Sequence, residues 1–220
     1  VSIQDLSSQT VYSMTTDKQG FVWIATRNGV DRYDGISMRH YHLGNSQMRT
    51  MRSGLTTTIY CDSEGRLWAY TERSIIYCYD KKTDSFVEVF NMPDYQLWGS
   101  AQALWCKGNT LIVGATDGIT LFDISSRTVT HRLCPDENIH IFSAYNDDQI
   151  FFGCDRGIGI LNIDEQRFII HEDWVRYEVK ALYYCTKEQR LWVGSNGNGL
   201  FIVDPKAPQD AIHLANTGGM

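Results

Sequence analysis

The stretch that decides the fold is Asp17-Lys18-Gln19-Gly20-Phe21-Val22-Trp23-Ile24-Ala25-Thr26-Arg27-Asn28-Gly29-Val30-Asp31-Arg32-Tyr33-Asp34. Its wording returns four times. Asp62-Ser63-Glu64-Gly65-Arg66-Leu67-Trp68 is followed by Tyr77-Cys78-Tyr79-Asp80. Leu111-Ile112-Val113-Gly114 leads to Asp117-Gly118 and Phe122-Asp123. Ile150-Phe151-Phe152-Gly153 leads to Arg156-Gly157 and Asn162. Leu191-Trp192-Val193-Gly194 leads to Asn198-Gly199 and Asp204. The anchor positions 23, 68, 112, 151 and 192 are 45, 44, 39 and 41 residues apart. Each anchor stands 11 or 12 residues before a closing Asp or Asn. A period near 40 to 45 with four strands per unit is the mark of a β-propeller blade.

The repeat predicts an all-β chain of five four-stranded antiparallel blades, at about 9–45, 55–92, 99–134, 138–173 and 177–216 of one propeller region, 1–220. In the first unit the strands fall at 11–16, 22–26, 30–33 and 38–43. Gly20 supplies positive φ to the first turn. Asn28-Gly29 reads as a type I′ hairpin. In the second unit Ser74-Ile75 stands where the glycine should be, so a looser hairpin is expected there. Asp34, Asp80, Asp123, Asn162 and Asp204 each follow the third strand, where an Asx side chain closes a turn on its own backbone. Asp17 and Asp62 recur for the same reason. These carboxylates are therefore structural. Trp23, Trp68 and Trp192 share one strand position and should fill the layer between blades.

Composition excludes several classes. Hydrophobic residues make up 43% of the 220 and charged residues 21%, which is enough apolar surface to fold a core. The net charge of −6 lacks the basic footprint that nucleic acid or an anionic membrane requires, so no nucleic-acid partner is expected. No apolar run approaches the roughly 20 residues of a membrane helix. The six cysteines form no CxxC pair and lie mostly in apolar strand-like runs, as small buried hydrophobes do. No nucleophile elbow, phosphate loop or HExxH is present. The six histidines fall mostly on or near outer strands, one or two per blade, so neither a metal site nor a cofactor is expected.

The phrase D-x-x-G-x-[LV]-W-[IV]-G-T-x-x-G-[LV]-x-x-Y-D resembles the repeat of two-component regulator propellers. The opening Leu6-Ser7-Ser8-Gln9-Thr10-Val11-Tyr12-Ser13 is similar to that family's blade lead-in. The resemblance is strong in units one and five, moderate in two and three, and weak in four. Ala25 and Tyr70 depart from it at a position the family gives to glycine. It implies a noncatalytic periplasmic sensor region of a hybrid two-component signalling protein, one that recognises a glycan-derived oligosaccharide. Family propellers have about seven blades. The partners implied are further blades and signalling domains of the same protein. The chain opens on Val1 in a lead-in, and 216–220 read as the next one. It is thus expected to be a piece of a longer array, although five blades closing alone would also satisfy the repeat. A five-unit piece leaves apolar end faces that favour a homodimer.

Ligands of propellers sit on the end that carries the hairpins between second and third strands and the connections between blades. There Trp98 and Trp174 lie outside the repeated Trp position and could stack on a sugar ring. Arg27, Arg156 and Arg176 could bind carboxylates bidentately. The competing reading is a glycan-active hydrolase or lyase on five blades. An inverting hydrolase needs two carboxylates about 6.5 to 9.5 Å apart, and Asp94, Asp117, Asp155 and Asp173 are the candidates.

Overall fold

The computed structural model of the protein describes residues 5–44 and 56–215. The expected blade limits at 45, 55 and 216, and the final lead-in 216–220, lie outside the described residues. Twenty strands form five four-stranded antiparallel sheets, so the chain is an all-β chain of five propeller blades. Among the described residues, short 3-10 turns at Met92–Tyr95 and Pro208–Asp210 interrupt the strands.

The first blade is β1 (Val11–Thr16), β2 (Val22–Thr26), β3 (Gly29–Tyr33) and β4 (Met38–Tyr41). The second is β5 (Thr56–Cys61), β6 (Leu67–Thr71), β7 (Ile75–Asp80) and β8 (Ser85–Asn91). The third is β9 (Ala101–Lys107), β10 (Thr110–Ala115), β11 (Gly118–Asp123) and β12 (Thr128–Leu133). The fourth is β13 (Ile139–Ala144), β14 (Gln149–Cys154), β15 (Gly157–Asn162) and β16 (Arg167–His171). The fifth is β17 (Val179–Cys185), β18 (Arg190–Ser195), β19 (Leu200–Val203) and β20 (Ile212–Leu214). Within every blade the strands are hydrogen-bonded in sequence order. Two compact units are present: 1–112 with 121–129, and 113–120 with 130–220.

In the first unit Trp23, 1% exposed, packs its ring 4.9 Å from Tyr79 and 6.0 Å from Phe86 of the second blade. Ala25, Leu43, Ile59, Leu67 and Tyr77 extend this core. In the second unit Phe151 holds the same role against Val179, Leu191, Val193 and Phe201 of the fifth blade. Trp192 is only half-buried, which separates it from Trp23 and Trp68. Hydroxyls tie neighbouring innermost strands together. Ile59 N–H donates to Ser13 Oγ at 2.8 Å, and Tyr184 N–H donates to Ser143 Oγ at 3.0 Å.

The turns follow the Asx reading and add to it. The Asp17 carboxylate accepts from the N–H groups of Gln19 and Phe21 and from the Trp23 indole. Asp62 repeats the pattern with Glu64, Arg66 and Trp68. Two turn expectations are corrected. Neither Arg27 nor Asn28 has positive φ, so the first hairpin is not type I′. The positive φ of 128° falls instead on Gly29, where a Cβ would strike the Tyr41 carbonyl. Nor is the second blade's hairpin loose. Ser74 adopts φ 58°, its N–H donates to Thr71 O at 2.9 Å, and its hydroxyl donates to Gly99 O at 3.1 Å. The same oxygen accepts from Ala101 N–H at 3.0 Å. Those three bonds offset the strain of a left-handed serine.

Candidate functional site

Irregular pairing brings side chains together at one end of the second unit. Strands β13 and β17 each carry a bulge in their first residues, between Ile139 and Ile141 and between Val179 and Ala181. The residues at these bulges are His140 and Lys180. A bulge re-aims a side chain out of the two-residue alternation, and here the two meet. Lys180 Nζ lies 3.3 Å from both ring nitrogens of His140. His140, its side chain 3% exposed, also sets Nε2 at 2.6 Å from Asp155 Oδ1 and 3.2 Å from Glu178 Oε1. Glu178 pairs with Lys180 and accepts from Asn196 Nδ2 at 2.5 Å. The ammonium and the amide hold the Glu178 carboxyl below its usual range.

His140, Asp155 and Glu178 could each offer one atom to a cation, all within 4.8 Å. The Lys180 ammonium already supplies positive charge among them, so the arrangement is that of an ion-pair cluster. The sequence places the histidines mostly on or near outer strands; His140 lies on the first strand of its blade.

Beside the cluster is an open cleft of about 470 Å³ lined by Asp155, Arg156, Glu172, Asp173 and Arg176. Arg156 is committed within the protein. Its Nε donates to Glu137, whose side chain is 7% exposed, and its Nη1 donates to Glu172 at 2.8 Å. Arg176 is exposed on the cleft wall. Trp174 is half-buried, stacks on His171 at 4.2 Å with 15° between planes, and packs against the Phe151 core. Burial pushes the His171 imidazole pKa down. One face of the Trp174 indole is therefore covered.

The first unit presents the other two candidates. Pro93 starts the 3-10 turn at Met92–Tyr95, and Gln96 closes it in the left-handed region at φ 58°. That closure sends Leu97 inward, 4% exposed, and leaves Trp98 outward, 76% exposed. Trp98 has no ring partner among the described residues. Arg27 is exposed at the tip of the first hairpin, where its backbone N–H donates to Thr10 O and Asn28 Nδ2 donates to Ser7 O. The lead-in is thus clipped to the blade it precedes. Of the five predicted residues, Arg156 and Arg176 share one cleft, Trp174 lies in the same unit, and Trp98 and Arg27 belong to the other unit.

The carboxylates weighed for hydrolysis divide likewise. Asp94 is in the first unit and Asp117, Asp155 and Asp173 in the second. Asp117 pairs with Arg132 at 2.9 Å and Asp155 with His140. Glu137, Glu172, Glu178 and Lys180 were not anticipated from sequence. Two of them meet partners a whole repeat away, which no local motif records.

Residues 5–28 match the family model described as "Two component regulator propeller". No curated protein sequence matches the chain. Among solved structures, the chain is similar to the extracellular domains of two proteins of B. thetaiotaomicron described as hybrid two-component systems. The first shares 20% identity and a TM-score of 0.71 over 96% of this chain and 28% of that one. The second shares 21% identity and a TM-score of 0.68 over 100% of this chain and 36% of that one. The virginiamycin B lyase of Staphylococcus aureus is similar at 14% identity, with a TM-score of 0.73 over 95% of this chain and 71% of that one. The chain therefore carries a two-component regulator propeller repeat at 5–28, spans about a third of the length of the extracellular domains it resembles, and shares its fold with an enzyme as well.

Proposed function

We propose that this chain is a noncatalytic, ligand-recognising part of a periplasmic sensor region in a hybrid two-component protein, and that its ligand is a glycan-derived oligosaccharide. The observation that carries the reading is Trp98, a large indole left 76% exposed by a turn that buries its neighbour Leu97. An indole held out in this way suits stacking on the apolar face of a sugar ring. The regulator-propeller repeat at 5–28 and the similarity to two-component extracellular domains support the sensor role. Further blades and signalling domains of the same protein would complete the sensor.

Calorimetry of the whole sensor region against a panel of oligosaccharides tests this. A saturable heat is expected for at least one member, weakened about tenfold by Trp98→Ala, or about 1.4 kcal/mol. Turnover of the bound oligosaccharide at enzymatic rates would overturn the sensor reading.

A further inference from the structure

A second site lies in the first unit, among the turns at the ends of β2 and β7 that point away from the hairpin tips. A hollow of about 320 Å³ there is lined by Asp17, Gln19, Phe21, Arg32, Tyr79 and Lys81, with Trp23 beneath. Arg32 stands on β3, opposite Trp23 on β2 and Arg39 on β4. Its guanidinium carbon sits 4.9 Å from the Phe21 ring centre, 5.5 Å from Trp23 and 5.9 Å from Tyr41.

The Nε of Arg32 is buried and has no hydrogen-bond partner among the described residues. A buried, charged donor without an acceptor is costly, and natural proteins leave few of them. Aromatic faces compensate the charge in part but accept no hydrogen bond in the plane of the guanidinium. The nearby carboxylates do not fill the role. Asp17 is occupied by two backbone N–H groups and the Trp23 indole. Asp84 accepts from the Tyr41 and Tyr79 hydroxyls and pairs with Arg39. Lys81 brings a second, exposed cation to the rim, and Gln19 an amide.

We propose that this hollow is an oxyanion site, taking a carboxylate or a sulfate. Arg32 offers it a fork of parallel N–H donors, Lys81 a point charge at the rim, and Phe21 and Tyr79 an apolar wall beside the anion. The proposal does not depend on what binds at Trp98.

The test uses the full chain labelled with nitrogen-15, reading the Arg32 Nε–H resonance, assigned by its loss in Arg32→Lys. Sodium sulfate, sodium glucuronate and glucose are titrated at constant ionic strength. A saturable shift with glucuronate or sulfate is expected, and none with glucose. Response to both anions identifies a general oxyanion site; response to glucuronate alone identifies a saccharide-borne carboxylate. Lys81→Gln should weaken the response about fivefold, as befits a screened surface charge. Lys81 is exposed, so this variant keeps the test open should Arg32→Lys fail to fold. Trp98→Ala should leave the response unchanged. No saturation with either anion, or an equal response to glucose, would overturn the proposal.

Discussion

The indole N–H of Trp68 donates to the Asp62 carboxylate at 2.9 Å, and Trp23 does the same to Asp17 at 2.8 Å. A turn residue and a blade-core residue six positions apart are thus a single device. The carboxylate closes the turn with one oxygen and holds the ring with the other, fixing a buried indole, which for Trp23 lies in the layer between blades.

Asp62→Ala should therefore cost more than the loss of a turn. Asp62 is 4% exposed and also accepts from Arg66 Nε at 2.7 Å. Its removal strands the Trp68 indole and an arginine. A loss of about 3 kcal/mol is expected in urea denaturation. Asp34→Ala, on an exposed turn, should cost clearly less. Equal losses would mean that the indole bond contributes nothing.

Trp68→Ala and Trp192→Ala should differ. Trp68 is 1% exposed, and its truncation should cost about 3 to 5 kcal/mol. Trp192 is half-buried, and its truncation should cost less than half as much. Chemical denaturation of both variants, with the slope checked for constancy, decides the point.

Acid should unfold the protein in a defined window. Backbone N–H groups of Ser37 and Ile36, with the Ser37 hydroxyl, hold Asp34 down from 3.8 to about 2. The turn carboxylates Asp80, Asp123 and Asp204 are lowered by the same kind of bond. A depressed carboxyl contributes stability that is fully present above its unfolded value and is lost as pH falls through the folded one. Stability should hold down to about pH 4 and fall steeply towards pH 2. Carbon-13 titration of the Asp34 carboxyl should give a midpoint near 2, and an ordinary midpoint would refute the turn assignment.

Four of the six thiols should be unreactive in the folded protein. Burial pushes Cys106 and Cys134 up to about 12, and Cys78 and Cys154 up to about 11. Thiolate is the reacting form. Iodoacetamide at neutral pH should modify these four only after unfolding, as read by peptide mass spectrometry.

What could be read in advance follows from how far each feature reaches along the chain. Asp17, Trp23 and Asp34 lie within one repeat and obey local turn and strand chemistry, so their roles were legible. The Trp98 exposure was legible in part, because that tryptophan breaks the register of the others. The cluster around His140 was not. It needs a bulge in each of two strands, and a bulge leaves no trace in a two-residue alternation. It also needs Lys180 to arrive from the next blade, 40 residues on. The Asn28-Gly29 hairpin was misread for a narrower reason: Thr26 pairs with Gly29, so the two central residues of the turn are Arg27 and Asn28, and the glycine stands at the first position of the next strand.

Ser74 shows how a tandem array absorbs a departure in one copy. The second blade has no glycine at its hairpin, and the neighbouring blade's first residues hold the substitute in place through its hydroxyl. The spelling of one copy is thereby chained to the backbone of the next. Rewriting this chain towards an averaged repeat, with Ser74→Gly, would relax one turn and unfasten two blades. The second blade is not an interchangeable brick: it bears the mortise cut for the particular neighbour beside it.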